Sequence, residues 1–137
     1  MKIRTFAVAA LTVALLAGCS SSAKEQKRLE MIATNRAALL SAELPLQYGP
    51  LHIMRANSKG AMIEMMMVYN TEAAAAKPVQ DVMKQSAVSF CQNQTIADNL
   101  DQGIDYRVKI RDSRGKLLID NIITKKSCDK IVPKNNN

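Results

Sequence analysis

QGIDYRVKIRDSRGKLLID, residues 102–120, decides the reading of the fold. Ile104, Tyr106, Val108 and Ile110 alternate with Asp105, Arg107, Lys109 and Arg111. A period of two sends the apolar set to one side of a strand and the charged set to the other. The first set predicts a buried face, and the Arg107/Lys109/Arg111 row predicts a solvated one. Asp112-Ser113-Arg114-Gly115 supplies a turn, and Lys116 to Thr124 returns as a second strand.

The same logic finds a second hairpin upstream. Leu51 to Ala56 and Ala61 to Tyr69 are strand-like, with Asn57-Ser58-Lys59-Gly60 between them. The second of these runs is rich in methionine: Met62, Met65, Met66 and Met67. Alternation puts Met65 and Met67 on one face and Met66 on the other. Thioethers can hold Cu(I), but flexible apolar side chains equally suit a core or an adaptable groove.

Helical periodicity fills the remainder. From Lys24 on, Leu29, Ile32, Arg36, Leu39, Leu40 and Glu43 recur at steps of three and four until Pro45 stops the run. The alanine-rich stretch Thr71 to Lys77 leads to Pro78, which suits the first turn of a second helix. Val79, Val82, Met83, Ala87 and Phe90 form its apolar stripe, with Cys91 at its inner end. Thr95-Ile96-Ala97-Asp98 reads as a capping box for a short helix that Gly103 closes. The pattern predicts an α+β fold: an antiparallel sheet of four to five strands from two hairpins, helices on one face, and one disulfide.

The N-terminus tells a different story. Lys2 and Arg4 precede an uncharged run from Thr5 to Gly18, whose apolar centre, Phe6 to Leu16, is too short to span a bilayer. A charged start, a short apolar centre and small residues at its end describe a signal peptide over residues 1–18. Leu16-Ala17-Gly18-Cys19 resembles a bacterial lipobox, in which Cys19 is acylated and becomes the first mature residue. Residues 19–23 would then be a lipidated tether, 24–132 the single domain and 133–137 a disordered tail ending in three asparagines. Ser20 is not the aspartate that retains lipoproteins at the inner membrane. The sorting rule therefore implies the inner leaflet of the outer membrane, facing the periplasm.

Removing residues 1–18 leaves 119 residues, one domain's worth, and lowers the formal charge from +7 to +5. With no tryptophan and five other aromatics, stacking platforms are scarce, so nucleic acid is not an expected partner. Once Cys19 is acylated, Cys91 and Cys128 remain, an even pair that reads as a disulfide in an oxidising compartment. His52 is the sole histidine, and no nucleophile elbow, phosphate loop or zinc-protease motif is present. The sequence predicts neither an enzyme nor a metal site, and no cofactor beyond the covalent lipid.

The chain is similar to the α/β type II secretion pilotins of the AspS type. The resemblance rests on the lipobox, on LPLQYGPLHIMRANSKGAMIEMMMVYN, on the helix ending in SFC, and on QGIDYRVKIRDSRGKLLIDNIITKKSC. It spans about Leu44 to Cys128. It implies a lipoprotein that binds the C-terminal segment of a secretin subunit, rides the lipoprotein-sorting machinery, and promotes secretin assembly in the outer membrane. The groove for that segment is expected among Leu29, Ile32, Arg36, Leu39, Met65 and Met67. The alternatives are a periplasmic scaffold or inhibitor of another envelope machine and, below it, a copper-handling lipoprotein.

Overall fold

A computed structural model describes residues 7–133, with side chains from Ser20 onward. The Cys19 side chain and the expected tail beyond Pro133 lie outside the described residues. The first helix, α1, spans Ala7–Ala42. It includes the Ser20–Ala23 stretch expected as a tether, which holds no Gly or Pro to interrupt it. Its buried contacts come from Ala33 and Ala37, small residues one turn apart that let the helix backbone approach the sheet closely. Leu29, Leu40 and Leu44 extend that stripe and pack on the core.

Five strands follow Pro45: β1 (Leu46–Tyr48), β2 (Leu51–Lys59), β3 (Met62–Tyr69), β4 (Asp105–Asp112) and β5 (Leu117–Ile123). They lie in the sheet in chain order. Both expected hairpins are present, β2 with β3 and β4 with β5. The upstream turn is tighter than expected. Asn57 to Lys59 belong to β2, and the reversal falls at Gly60, whose φ of 59° needs no Cβ. The short edge strand β1 was not expected as an element.

The joint between the hairpins corrects the antiparallel expectation. β3 and β4 pair in parallel, with Ile63 opposite Tyr106 and Met67 opposite Ile110, so the sheet is mixed. Parallel neighbours need a long crossover, and residues 70–104 provide it, carrying α2 (Val79–Gln92) and α3 (Gln94–Asp101). The alanine-rich lead-in is irregular and is held by a side chain of the sheet. Tyr69 Oη donates to the Lys77 carbonyl at 2.9 Å and accepts from the Lys77 amide at 2.6 Å. The α3 cap is Asn93 rather than Thr95, since Asn93 Oδ1 accepts from the Ile96 amide at 3.1 Å. The capping box of the chain belongs instead to α4 (Lys125–Ile131), where Thr124 and Ser127 satisfy each other's backbone amides.

The core occupies one face of the sheet. Ile63, Met65, Met67 and Tyr69 from β3 and Tyr106, Val108 and Ile110 from β4 are buried there under the helices. Cys91 on α2 and Cys128 on α4 form the expected disulfide, with Cα atoms 5.2 Å apart and 37 residues enclosed. Chain-entropy arguments assign such a loop about 3–4 kcal/mol. Cys91→Ser is therefore expected to lower the unfolding free energy by about that amount in the same model. Denaturant titration measures the loss, and an unchanged midpoint would mean that the bridge constrains nothing.

Candidate functional site

The two principal helices share a face of the sheet without packing on each other. Among the described residues, α1 rests on β2 and β3, whereas α2 rests on β5, α3 and α4. One flank of α1 is tied to β2: Thr34 Oγ1 lies 3.0 Å from Ser58 Oγ, and Ser41 Oγ donates to the Ala56 carbonyl at 2.6 Å. Thr34 and Ser41 lie on one side of the Ala33–Ala37 stripe, and Ile32, Arg36 and Leu39 on the other. This second flank faces the crevice above β3 and β4. On α2, Val82 and Ser86 lie opposite Cys91 and are half-buried on the facing lip.

The expected groove residues divide by depth. Leu39 is 63% exposed and Arg36 is exposed, while Leu29 and Ile32 are partly buried against the core. Met65 and Met67 are 6% and 1% exposed, so they are core residues beneath the helices and present no surface to a partner. The alternation that grouped them correctly could not say that α1 covers them. The floor also holds residues that the periodicity marked only as core. Tyr106 meets Phe90 edge-on at 5.8 Å between ring centroids, and Asn99 Nδ2 donates to Tyr106 Oη at 2.7 Å. Burial raises the Tyr106 pKa, while its bond to Asn99 and the charge of Arg36 oppose that rise.

The other face of the sheet is polar. Arg107 grips Asp120 with both ends of its fork, Nε to Oδ1 at 2.7 Å and Nη2 to Oδ2 at 2.6 Å. Glu64 pairs with Lys109 at 2.9 Å and lies 3.8 Å from Arg107. The basic row is thus an ion-pair ladder across β3, β4 and β5. Two depressions elsewhere, beside Glu72–Arg114 and beside the disulfide, hold about 190 and 80 Å³. Both fall below the roughly 300–1,000 Å³ of small-molecule sites. Among the described residues no three His, Cys, Asp or Glu side chains gather to hold a metal, and no helix is long and apolar enough to cross a membrane.

A crevice between two amphipathic helices, with apolar walls and one basic lip, defines a module that docks a protein segment. The chain belongs to the type II secretion system pilotins, S protein family, whose model matches residues 25–128. Among solved structures it is similar to the pilotin EpsS of the Vibrio vulnificus type 2 secretion system, with 46% identity and a TM-score of 0.74. That match covers 77% of this chain and 96% of the other. It is similar to the type II secretion pilotin AspS of Vibrio cholerae with 52% identity and a TM-score of 0.74, covering 79% of this chain and 99% of the other. A putative secreted protein of Pseudomonas aeruginosa shares the fold alone, with a TM-score of 0.65 at 14% identity, covering 76% of this chain and 96% of that one. No curated protein sequence matches the chain.

The ladder on the open face makes a pH prediction. Hydrogen bonds from Arg107 hold the Asp120 carboxyl below its ordinary value. A carboxyl with a depressed folded pKa stabilises the fold above its unfolded pKa, about 3.9, and loses that contribution as pH falls through the folded value. Asp120→Asn should therefore lower stability at neutral pH and flatten the acid limb of the stability profile. Chemical denaturation at neutral pH and below pH 3 tests this, and parallel profiles for both proteins would refute it.

Proposed function

We infer that this pilotin is an outer-membrane lipoprotein whose α1–α2 crevice receives the C-terminal segment of a secretin subunit. The observation that carries this reading is the unpaired flank of α1, with Leu39 63% exposed beside the partly buried Ile32. An amphipathic helix laid along the crevice covers that apolar surface and places its polar side outward. Family membership supports the partner. A segment that orders only on binding spends part of its contact energy on ordering. A hydrophobic anchor helix held by a folded carrier is, in the meantime, kept from aggregating.

Acylation of Cys19 completes the reading. Each buried methylene contributes about 0.8 kcal/mol, and two or three acyl chains hold a protein far more firmly than one. The lipid therefore gives the bound secretin monomer a route through the lipoprotein-sorting machinery to the inner leaflet of the outer membrane. The carrier role uses no catalytic group and no cofactor other than this lipid.

Leu39→Asp tests the docking surface without touching the core, because an exposed substitution typically changes stability by no more than ~0.5 kcal/mol. The variant is expected to retain the wild-type melting curve and to lose co-purification with the secretin's C-terminal segment. Equal recovery of the segment by both proteins would place the docking surface elsewhere. Mass spectrometry of the mature N-terminus is expected to find diacylglycerol on Cys19, and an unmodified chain would remove the anchor from the account.

A further inference from the structure

The crevice floor holds a polar pair that an apolar groove does not need. Tyr106 and Asn99 are each 1% exposed. Asn99 Oδ1 has no hydrogen-bond partner. Tyr106 Oη accepts from Asn99, which leaves the hydroxyl proton to be donated elsewhere, and no other side-chain partner meets it. Unmatched polar groups at such depth are rare and call for a ligand or a water.

Arg36 stands level with this pair. The Thr34–Ser58 and Ser41–Ala56 contacts show that α1 runs antiparallel to β2, and hence parallel to β4. Leu29 Cδ1 lies 3.7 Å from where a Cβ on Gly103 would sit. Seven residues along α1 and three along β4 advance by nearly the same distance, about 10 Å, which brings Arg36 alongside Tyr106. The Arg36 side chain is exposed and forms no ion pair among the described residues.

We propose that Arg36 and the Tyr106 hydroxyl, held in place by Asn99, form a carboxylate-binding pair that takes one acidic group of the docked segment. A guanidinium and a phenol proton are both donors, and a carboxylate is the side-chain acceptor that satisfies both at once. Docking parts the Ile32 and Arg36 side chains at the lip and admits the acid to the hydroxyl beneath. The acid is either an Asp or Glu side chain of the helix or the carboxylate at the segment's C-terminus. This inference rests on the pilotin reading above.

Fluorescence anisotropy with the full-length acylated protein in detergent tests it. The probes are three synthetic peptides of the cognate secretin's C-terminal segment: the native peptide, one with its acidic residues changed to amides, and one with an amidated C-terminus. Arg36→Gln and Tyr106→Phe are each expected to weaken binding of the native peptide about tenfold, the loss typical of a charged hydrogen bond. One neutralised peptide is expected to bind the wild type equally weakly and to ignore both substitutions, and its identity names the source of the acid. Tyr106→Phe sits in the core, so Arg36→Gln, on the surface, carries the result if the former melts early. Native affinity for both neutralised peptides, or full affinity in Arg36→Gln, would overturn the carboxylate pair while leaving the docking role intact. Failure of the wild type to bind any peptide would remove the pilotin reading and this inference with it.

Discussion

Parallel pairing of β3 with β4 is the constraint on which the rest of this structure depends. Ile63, Met65, Met67 and Tyr69 lie beside Tyr106, Val108, Ile110 and Asp112 in one continuous register. Because the two strands run the same way, the chain must cross the full length of the sheet between them. That crossover holds α2 and α3, and it carries them to the face where α1 already lies. A slip of one residue would turn Tyr106, Val108 and Ile110 outward and bring Arg107 and Lys109 into the core. The disulfide secures the arrangement from the side, joining the crossover helix to the helix that follows β5. With α1 seated on β2 and β3 and α2 seated on β5, a seam between them follows from the topology.

Much of this was legible in the sequence because period-two and period-3.6 patterns report which side chains share a face. The stripe at Ile104, Tyr106, Val108 and Ile110 is buried as read, and each of these residues is at most 1% exposed. The Cys91–Cys128 bridge was equally legible, from the count of cysteines and the compartment. Strand direction was not. Nothing in alternation distinguishes a parallel neighbour from an antiparallel one, so two hairpins looked like a wholly antiparallel sheet. The missed elements, β1 and α4, are short, and their signals lie in a three-residue run and in a Thr-x-x-Ser cap. The cap was assigned to Thr95 when Asn93, two residues earlier, had the better acceptor.

The candidate site was legible only in part, for a related reason. Periodicity told that Leu29, Ile32, Arg36 and Leu39 lie near one another on α1. It could not tell which flank the sheet would take. Thr34 and Ser41 settle that by bonding to β2, which leaves Arg36 and Leu39 at the free edge. Met65 and Met67 carried the opposite ambiguity: adaptable side chains for a groove by chemistry, they are core by position. Asn99 had no signal beyond a helix end, since its significance comes from a hydroxyl seven residues away in sequence on another element.

The two faces of the sheet suit separate tasks. On the open face, acids and bases satisfy one another through Arg107, Asp120, Glu64 and Lys109. On the helical face, apolar side chains and one free cation line the seam. The most direct test is amide hydrogen exchange of the full-length protein with and without its secretin's C-terminal segment. The account predicts added protection in residues 29–40 and 79–90, with β5 and the exposed ends of β4 unchanged. Protection confined to the open face or to the β5 edge, with both helices unchanged, would contradict it.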